Sequence, residues 1–211
     1  MNRLAVSAAL AALAFGVSAQ AAPIFSDDFN ANPLGLNIAP AGWTVASGTV
    51  DLIGNGFFDF LPGNGVYVDL DGSTSKAGLL TSPTLNLTGG MTYTATFDLA
   101  GSHRGSTETG TVTFGSATLS YSVASGDGFA ATSLSFTPTT SGAYTLSFQN
   151  AGGDNVGALL DNVAVNPAVT GLVPEPQTYA LMLAGLAAVG MLSRRRRHGA
   201  ESASAEIFSR Q

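Results

Sequence analysis

In the stretch MTYTATFDL, residues 91–99, Met91, Tyr93, Ala95, Phe97 and Leu99 alternate strictly with Thr92, Thr94, Thr96 and Asp98. Apolar residues at every second position line one side of an extended chain and no single side of a helix, so the segment predicts a strand with one buried face. The same period returns around Trp43 and Val45, at Val66, Val68 and Leu70, and at Tyr144, Leu146 and Phe148. Shorter matches stand at Val112 with Phe114 and at Leu134 with Phe136. Glycine-rich turn signals at 54–56, 62–65, 88–90 and 152–155 separate these runs. Between residues 22 and 166 no segment carries a convincing helical period. Many short strands punctuated by turns predict an all-β domain: an antiparallel two-sheet sandwich of the jelly-roll type.

The two ends of the chain break this pattern. Residues 1–21 join Arg3, an apolar run from Leu4 to Val17 and the small-residue pattern Ala19-Gln20-Ala21, which reads as a signal peptide with the mature chain starting near Ala22. At the other end, Pro174-Glu175-Pro176 precedes an apolar run from Tyr179 to Leu192 and then Arg194, Arg195, Arg196 and Arg197. The apolar run predicts a short transmembrane helix, and the arginines stay on the cytoplasmic side under the positive-inside bias. Two prolines hold the preceding segment extended and accessible, a geometry suited to recognition by another protein. The division is therefore signal peptide 1–21, folded body 22–166, linker 167–172, C-terminal signal 173–197 and a disordered tail 198–211.

Val173-Pro174-Glu175-Pro176, the apolar helix and the arginine cluster together resemble the PEP-CTERM sorting signal of Gram-negative bacteria that make exopolysaccharide. The resemblance implies an exported protein held transiently in the inner membrane, processed by an exosortase and passed to the cell surface or extracellular matrix. Members of that family usually end within a few residues of the basic cluster, whereas this chain continues from His198 to Gln211.

The body carries eleven carboxylates and only Lys76 and Arg104 as cations, which argues against a nucleic-acid partner. Cysteine is absent, so no disulfide staples the exported domain. The stretches VDLDGS (68–73), FDLAGS (97–102) and LLDNVAV (159–165) resemble, in order and spacing, galactose-binding-like jelly-roll domains. That resemblance implies a non-catalytic, carbohydrate-associated sandwich with a structural calcium where the ends of the domain meet, and it singles out Asp161.

Strict alternation would also put Leu159, Asp161, Val163 and Val165 on one face, leaving the Asp161 carboxylate in an apolar row. A buried charge there must be paired, neutralised or bound to a cation. Asp27 and Asp28 open the domain, and neighbouring first and last strands would bring them to Asp161 as hard oxygen ligands for Ca²⁺. Backbone N–H groups at a strand crossover are the other way to satisfy it.

Two stretches suggest a sugar-binding surface. Tyr67, Asp69 and Asp71 alternate opposite Val66, Val68 and Leu70, and an aromatic ring beside carboxylates suits stacking and hydroxyl recognition; an ordinary solvated face gives the same pattern. Phe57, Phe58 and Phe60 crowd a glycine-bounded loop, where alternation sends Phe58 and Phe60 one way and Phe57 the other. Either the loop folds over a sheet edge or a ring is exposed for a ligand. Catalysis has little support: Ser102, His103, Arg104 and Glu108 share one loop, but sequence neighbours in a loop seldom build a nucleophile, base and orienter. The expected function is polysaccharide association without catalysis, with a purely structural matrix role as the alternative and a polysaccharide hydrolase as the weaker one.

Overall fold

A computed structural model describes residues 22–168 and 181–189 of the chain. The predicted signal peptide, the Val173–Pro176 motif, Arg194 to Arg197 and the 198–211 tail lie outside the described residues. Residues 181–189 are helical and fall within the predicted membrane segment. No helix among the described residues is long and apolar enough to cross a membrane.

Residues 22–168 form the predicted all-β sandwich. Its strands are β1 (Phe25–Asp27), β2 (Thr44–Val45), β3 (Asp51–Gly54), β4 (Val66–Asp69), β5 (Leu79–Thr81), β6 (Leu85–Leu87) and β7 (Tyr93–Ala100). There follow β8 (Glu108–Phe114), β9 (Ala117–Val123), β10 (Ala130–Phe136), β11 (Gly142–Tyr144), β12 (Leu146–Asn150) and β13 (Leu159–Pro167). One sheet has the order β10-β7-β13-β4-β3, with β1 also paired to β13. The facing sheet runs β2-β5-β12-β8-β9, and β6 pairs with β11 in a two-stranded ribbon. All these ladders are antiparallel, and the first and last strands are neighbours, Phe25 opposite Val165.

The alternation read from the sequence sets the core. Tyr93, Ala95, Phe97 and Leu99 of β7 are buried against Val112 and Phe114 of β8 and Leu146 and Phe148 of β12. Met91 departs from its expected inward position and is exposed, because the Gly89-Gly90 turn ends before β7 begins at Tyr93. Trp43 packs with Phe25, Phe29 and Phe148 at ring-centroid distances of 5.6, 5.7 and 6.2 Å. Its indole N–H, which must find a partner once buried, donates to Asp27 Oδ2 at 2.8 Å. Such aromatic contacts add about 0.5–1.5 kcal/mol each beyond the area they bury.

β13 corrects one expectation. Asp161 lies opposite Asp98, whereas Ala164 lies opposite Thr96, so β13 holds one more residue than β7 between those pairs. Asn162, in the left-handed region at φ 50°, makes this bulge. A single inserted residue reverses the alternation. Leu160, Val163 and Val165 consequently face the core between the sheets, and Asp161 leaves the row it was expected to share with Val163 and Val165.

Candidate functional site

The outer face of the first sheet is not left to solvent. Ile53, Tyr67, Ala100 and Leu159 form a small second core there, closed by Phe57, Phe60, Leu61 and Phe129. The segment between β3 and β4 therefore folds back over its own sheet. A bridge between Gly54 and Phe57 starts the reversal, and Phe58 completes it at φ 45°. That left-handed residue breaks the expected grouping: Phe57 and Phe60 turn inward, while the Phe58 ring points outward and the residue is 54% exposed. Tyr67 is fully buried beneath the loop. Its hydroxyl accepts the Leu61 N–H at 3.0 Å and donates to Asp59 at 3.1 Å, and burial pushes it up to about 12. Tyr67, Asp69 and Asp71 do share the face opposite Val66 and Val68, but the covering loops make that face interior.

Asp51, Asp69 and Arg104 meet at the edge of this cover. Asp51 and Asp69 are direct neighbours across the β3–β4 ladder. Both are buried. Asp51 accepts hydrogen bonds from the Asn37 N–H at 2.6 Å and the Ser73 hydroxyl at 2.7 Å. Asp69 forms an ion pair with Arg104, whose guanidinium also donates to the Asn155 carbonyl and lies 4.9 Å from the centre of the Phe60 ring. Burial pushes Asp69 up to about 7 against the opposing pull of Arg104, and Asp51 and Asp71 push the same way as burial. The arginine reaches this point because its loop is pinned: the His103 and Gly105 N–H groups donate to the Ser125 carbonyl and hydroxyl at 2.9 and 2.7 Å.

Asp71 lies deeper and is fully buried. Its Oδ2 accepts the Asp154 N–H at 3.2 Å, while its Oδ1 has no hydrogen-bond partner among the described residues. Burial holds its carboxyl above the usual range. The loop at 152–155 closes tightly over it: a Cβ at Gly152 would sit 2.3 Å from Asp71 Oδ2, so a side chain there would push the buried carboxyl aside.

Between Phe58, Phe60, Arg104, Asp69 and Ser73 lies a notch of about 70 Å³. That is well below the range of about 300–1,000 Å³ usual for small-molecule sites, so the notch suits the edge of a ligand and not its whole body. A ligand seated here would place its edge among the polar groups and its face against the exposed Phe58. Arg104, with a side chain 26% exposed, offers the donors at that edge.

The residues expected to gather around a cation do so only loosely. Asp27, Asp28 and Asp98 lie near enough to Asp161 to raise it, and with burial as the largest cause they take it up to about 7. Asp27 accepts a hydrogen bond at each oxygen, from the Phe29 N–H at 2.8 Å and from Trp43. The Asn30 side chain first, and then the Asn30 N–H that Asp28 accepts, hold Asp28 below the ordinary range. Asp161 accepts the Asn162 N–H at 2.7 Å. Among the described residues no three His, Cys, Asp or Glu side chains are arranged to hold a metal.

The Ser102, His103 and Glu108 side chains do not assemble. His103 is exposed, Ser102 Oγ accepts the Arg104 N–H, and Glu108 accepts from Ser106. Asp51, Ser73 and Asn155 are cleft residues that sequence reading passed over. The one available signal was scarcity, since Arg104 is one of two cations in the body and a buried acid would claim it.

The described sandwich is similar to the CBM22-1 xylan-binding domain from Paenibacillus barcinonensis Xyn10C, with TM-score 0.52 and 12% identity over 74% of this chain and 100% of that one. It is also similar to the K1 cleaved adhesin domain of Lys-gingipain from Porphyromonas gingivalis W83, with TM-score 0.48 and 17% identity over 67% and 96% of the two chains. At 12% identity the likeness to the xylan-binding domain is one of fold alone. No curated protein matches the chain. Residues 172–197 match the PEP-CTERM protein-sorting motif, the segment in which Pro174, Glu175, Pro176 and the four arginines were singled out, so this is an exported protein carrying a PEP-CTERM sorting signal.

Proposed function

We propose that the protein is a non-catalytic, polysaccharide-associated component of the cell surface or extracellular matrix, released from the inner membrane by an exosortase. The observation that carries the glycan reading is the Phe58 ring, held outward by a left-handed backbone beside the Arg104–Asp69 pair. An apolar ring kept in water at a conformational cost, next to a preformed set of donors and acceptors, suits a sugar's C–H face and hydroxyl edge. The jelly-roll likeness to a xylan-binding domain supports the same class of ligand.

Phe58→Ala is expected to weaken retention of the exported protein in affinity electrophoresis through polysaccharide gels several-fold, equivalent to about 1 kcal/mol. Its melting temperature should fall by only a few degrees, because the residue is 54% exposed and its aromatic packing is an edge contact with Phe57 at 4.9 Å. Unchanged retention across a panel of neutral and acidic polysaccharides would remove the cleft from consideration. Phe60→Ala serves as the contrast, since that ring closes the outer core and its loss should lower stability.

For sorting, alanines at Pro174, Glu175 and Pro176 together should leave export intact and retain an uncleaved, membrane-bound form. The motivation is a recognition segment distinct from the apolar run. Appearance of the triple variant at the surface with the wild-type mature mass would show that processing does not use this motif. The galactose-binding-like resemblance implies a structural calcium near Asp161, and with Asp27 as a ligand each of its oxygens would use its second lone pair beside the hydrogen bond it accepts from Phe29 or Trp43. Melting of Asp161→Asn with and without Ca²⁺ decides between a cation and a proton at that point.

A further inference from the structure

Charge is distributed unevenly along the strands of the body. Asp51, Asp69, Asp71, Arg104 and Asp154 gather at one end of the sandwich, whereas residues 77–97, 109–126 and 128–153 contain no charged side chain at all. β8 joins the two ends, from Glu108 to Phe114, a span of roughly 20 Å at about 3.3 Å per residue. Beyond Phe114 the uncharged end holds a groove of about 430 Å³ between the β8–β9 turn, the end of β10 and β11. That volume lies within the range of about 300–1,000 Å³ usual for small-molecule sites.

The groove has an aromatic floor and hydroxyl walls. Phe136 is buried against Phe114 and Tyr144, with ring centroids at 5.4 and 5.1 Å. The Tyr144 hydroxyl donates to the Thr140 carbonyl at 2.8 Å, which fixes the half-buried ring. Gly115, at φ 57°, packs its backbone directly on the Phe136 ring, since a Cβ there would lie 2.3 Å from it. Around the rings stand the exposed Ser116, Thr139 and Thr145, whose hydroxyls make no hydrogen bond among the described residues. Thr137 is already engaged with Thr92.

We propose that this groove is a second binding site, for an uncharged sugar unit, at the opposite end of the sandwich from the Phe58 notch. The half-buried Tyr144 ring over buried Phe136, with free hydroxyls and no charge, matches a neutral pyranose: its C–H face meets Tyr144 and its hydroxyls exchange hydrogen bonds with groups that have both donor and acceptor capacity. An anionic sugar finds no counter-charge here. Two sites on one rigid domain make the protein a cross-linker of glycan chains, and avidity then exceeds what either site achieves alone.

The test uses the exported, processed protein with soluble β-glucan and xylan as neutral probes and alginate as the acidic one. Thr139→Val with Thr145→Val removes two hydroxyls at nearly constant volume from exposed positions. This pair should abolish cross-linking of a neutral polysaccharide, read as turbidity or viscosity, and lower retention several-fold at an unchanged melting temperature. Phe58→Ala should also abolish cross-linking yet leave measurable retention, and the combined variant should lose both. Wild-type cross-linking by the threonine pair overturns the second site. So does complete loss of neutral-glycan retention in Phe58→Ala alone, a result that leaves the notch standing. Retention lost in the threonine pair but untouched by Phe58→Ala overturns the notch and supports the groove. Absence of retention on both neutral probes overturns the groove, and alginate retention of Phe58→Ala then decides the notch separately.

Discussion

Arg104→Ala is expected to destabilise the sandwich by about 3–5 kcal/mol at pH 8, the usual consequence of leaving a buried charge without its partner. Asp69 is 2% exposed and has Asp51 beside it across the ladder, so ionised Asp69 has Arg104 as its counter-charge. The same substitution should cost much less at pH 5. With the arginine present Asp69 is already pushed up to about 7 by burial, and removing the group that pulls it down moves it further up. A folded-state value above that of the unfolded chain means the folded protein keeps a proton that the unfolded one releases. Stability is then fullest in acid and declines as pH rises toward the folded value. At pH 5 the variant holds Asp69 neutral and loses the hydrogen bonds to Asp69 and Asn155 and the stack on Phe60, but leaves no buried charge unpaired. Urea denaturation of both proteins at the two pH values measures the difference. Asp69→Asn in the Arg104→Ala background should recover most of the loss at pH 8. A loss equal at both pH values would mean that Arg104 acts through packing and not through its charge.

What the sequence could tell of this site depended on how local each feature is. Tyr93 to Leu99 announced β7 because alternation is a property of neighbouring residues, and the same signal found β4, β8 and β12. Met91 escaped it because the preceding turn delays the strand. Asp161 was recognised as important, but its face was misread: nothing in a period-two count marks where one residue will bulge. Asn162 in mid-strand was the available hint, since asparagine tolerates the left-handed conformation better than its neighbours. Tyr67 was unreadable for a different reason. Its burial depends on residues 57–61 folding back over the sheet, a choice made by the whole surface of Ile53, Ala100 and Leu159. Arg104 meets Asp69 across 35 residues of chain, and only the shortage of cations pointed to it.

Asp161→Asn should stabilise the protein at pH 8 and leave it nearly unchanged at pH 4. Asp161 is 3% exposed, and with Asp98, Asp28 and Asp27 adding to the effect of burial its carboxyl is raised to about 7. An ordinary aspartate ionises near 3.9. Between these values the folded state holds a proton that the unfolded state has lost, so the contribution to stability is full below about pH 4 and is lost as pH rises to about 7. A tenfold difference in proton affinity between the two states is worth about 1.4 kcal/mol, and the ionised form at pH 8 therefore costs the fold on the order of a few kcal/mol. Asparagine keeps an oxygen to accept the Asn162 N–H at this point and carries no charge, which removes that cost. At roughly 3 °C per kcal/mol for a domain of this size, the variant should melt on the order of 5–10 °C above wild type at pH 8. Asp69 follows the same direction, so the wild-type slope against pH will flatten in the variant without vanishing. A cation at this point reverses the sign. If Ca²⁺ sits among these carboxylates, wild type at pH 8 gains stability with added Ca²⁺ and loses it with chelator, and Asp161→Asn melts lower instead of higher. Melting curves at pH 4 and 8, with chelator and with Ca²⁺, therefore decide whether a proton or a metal relieves the repulsion at the β13 bulge.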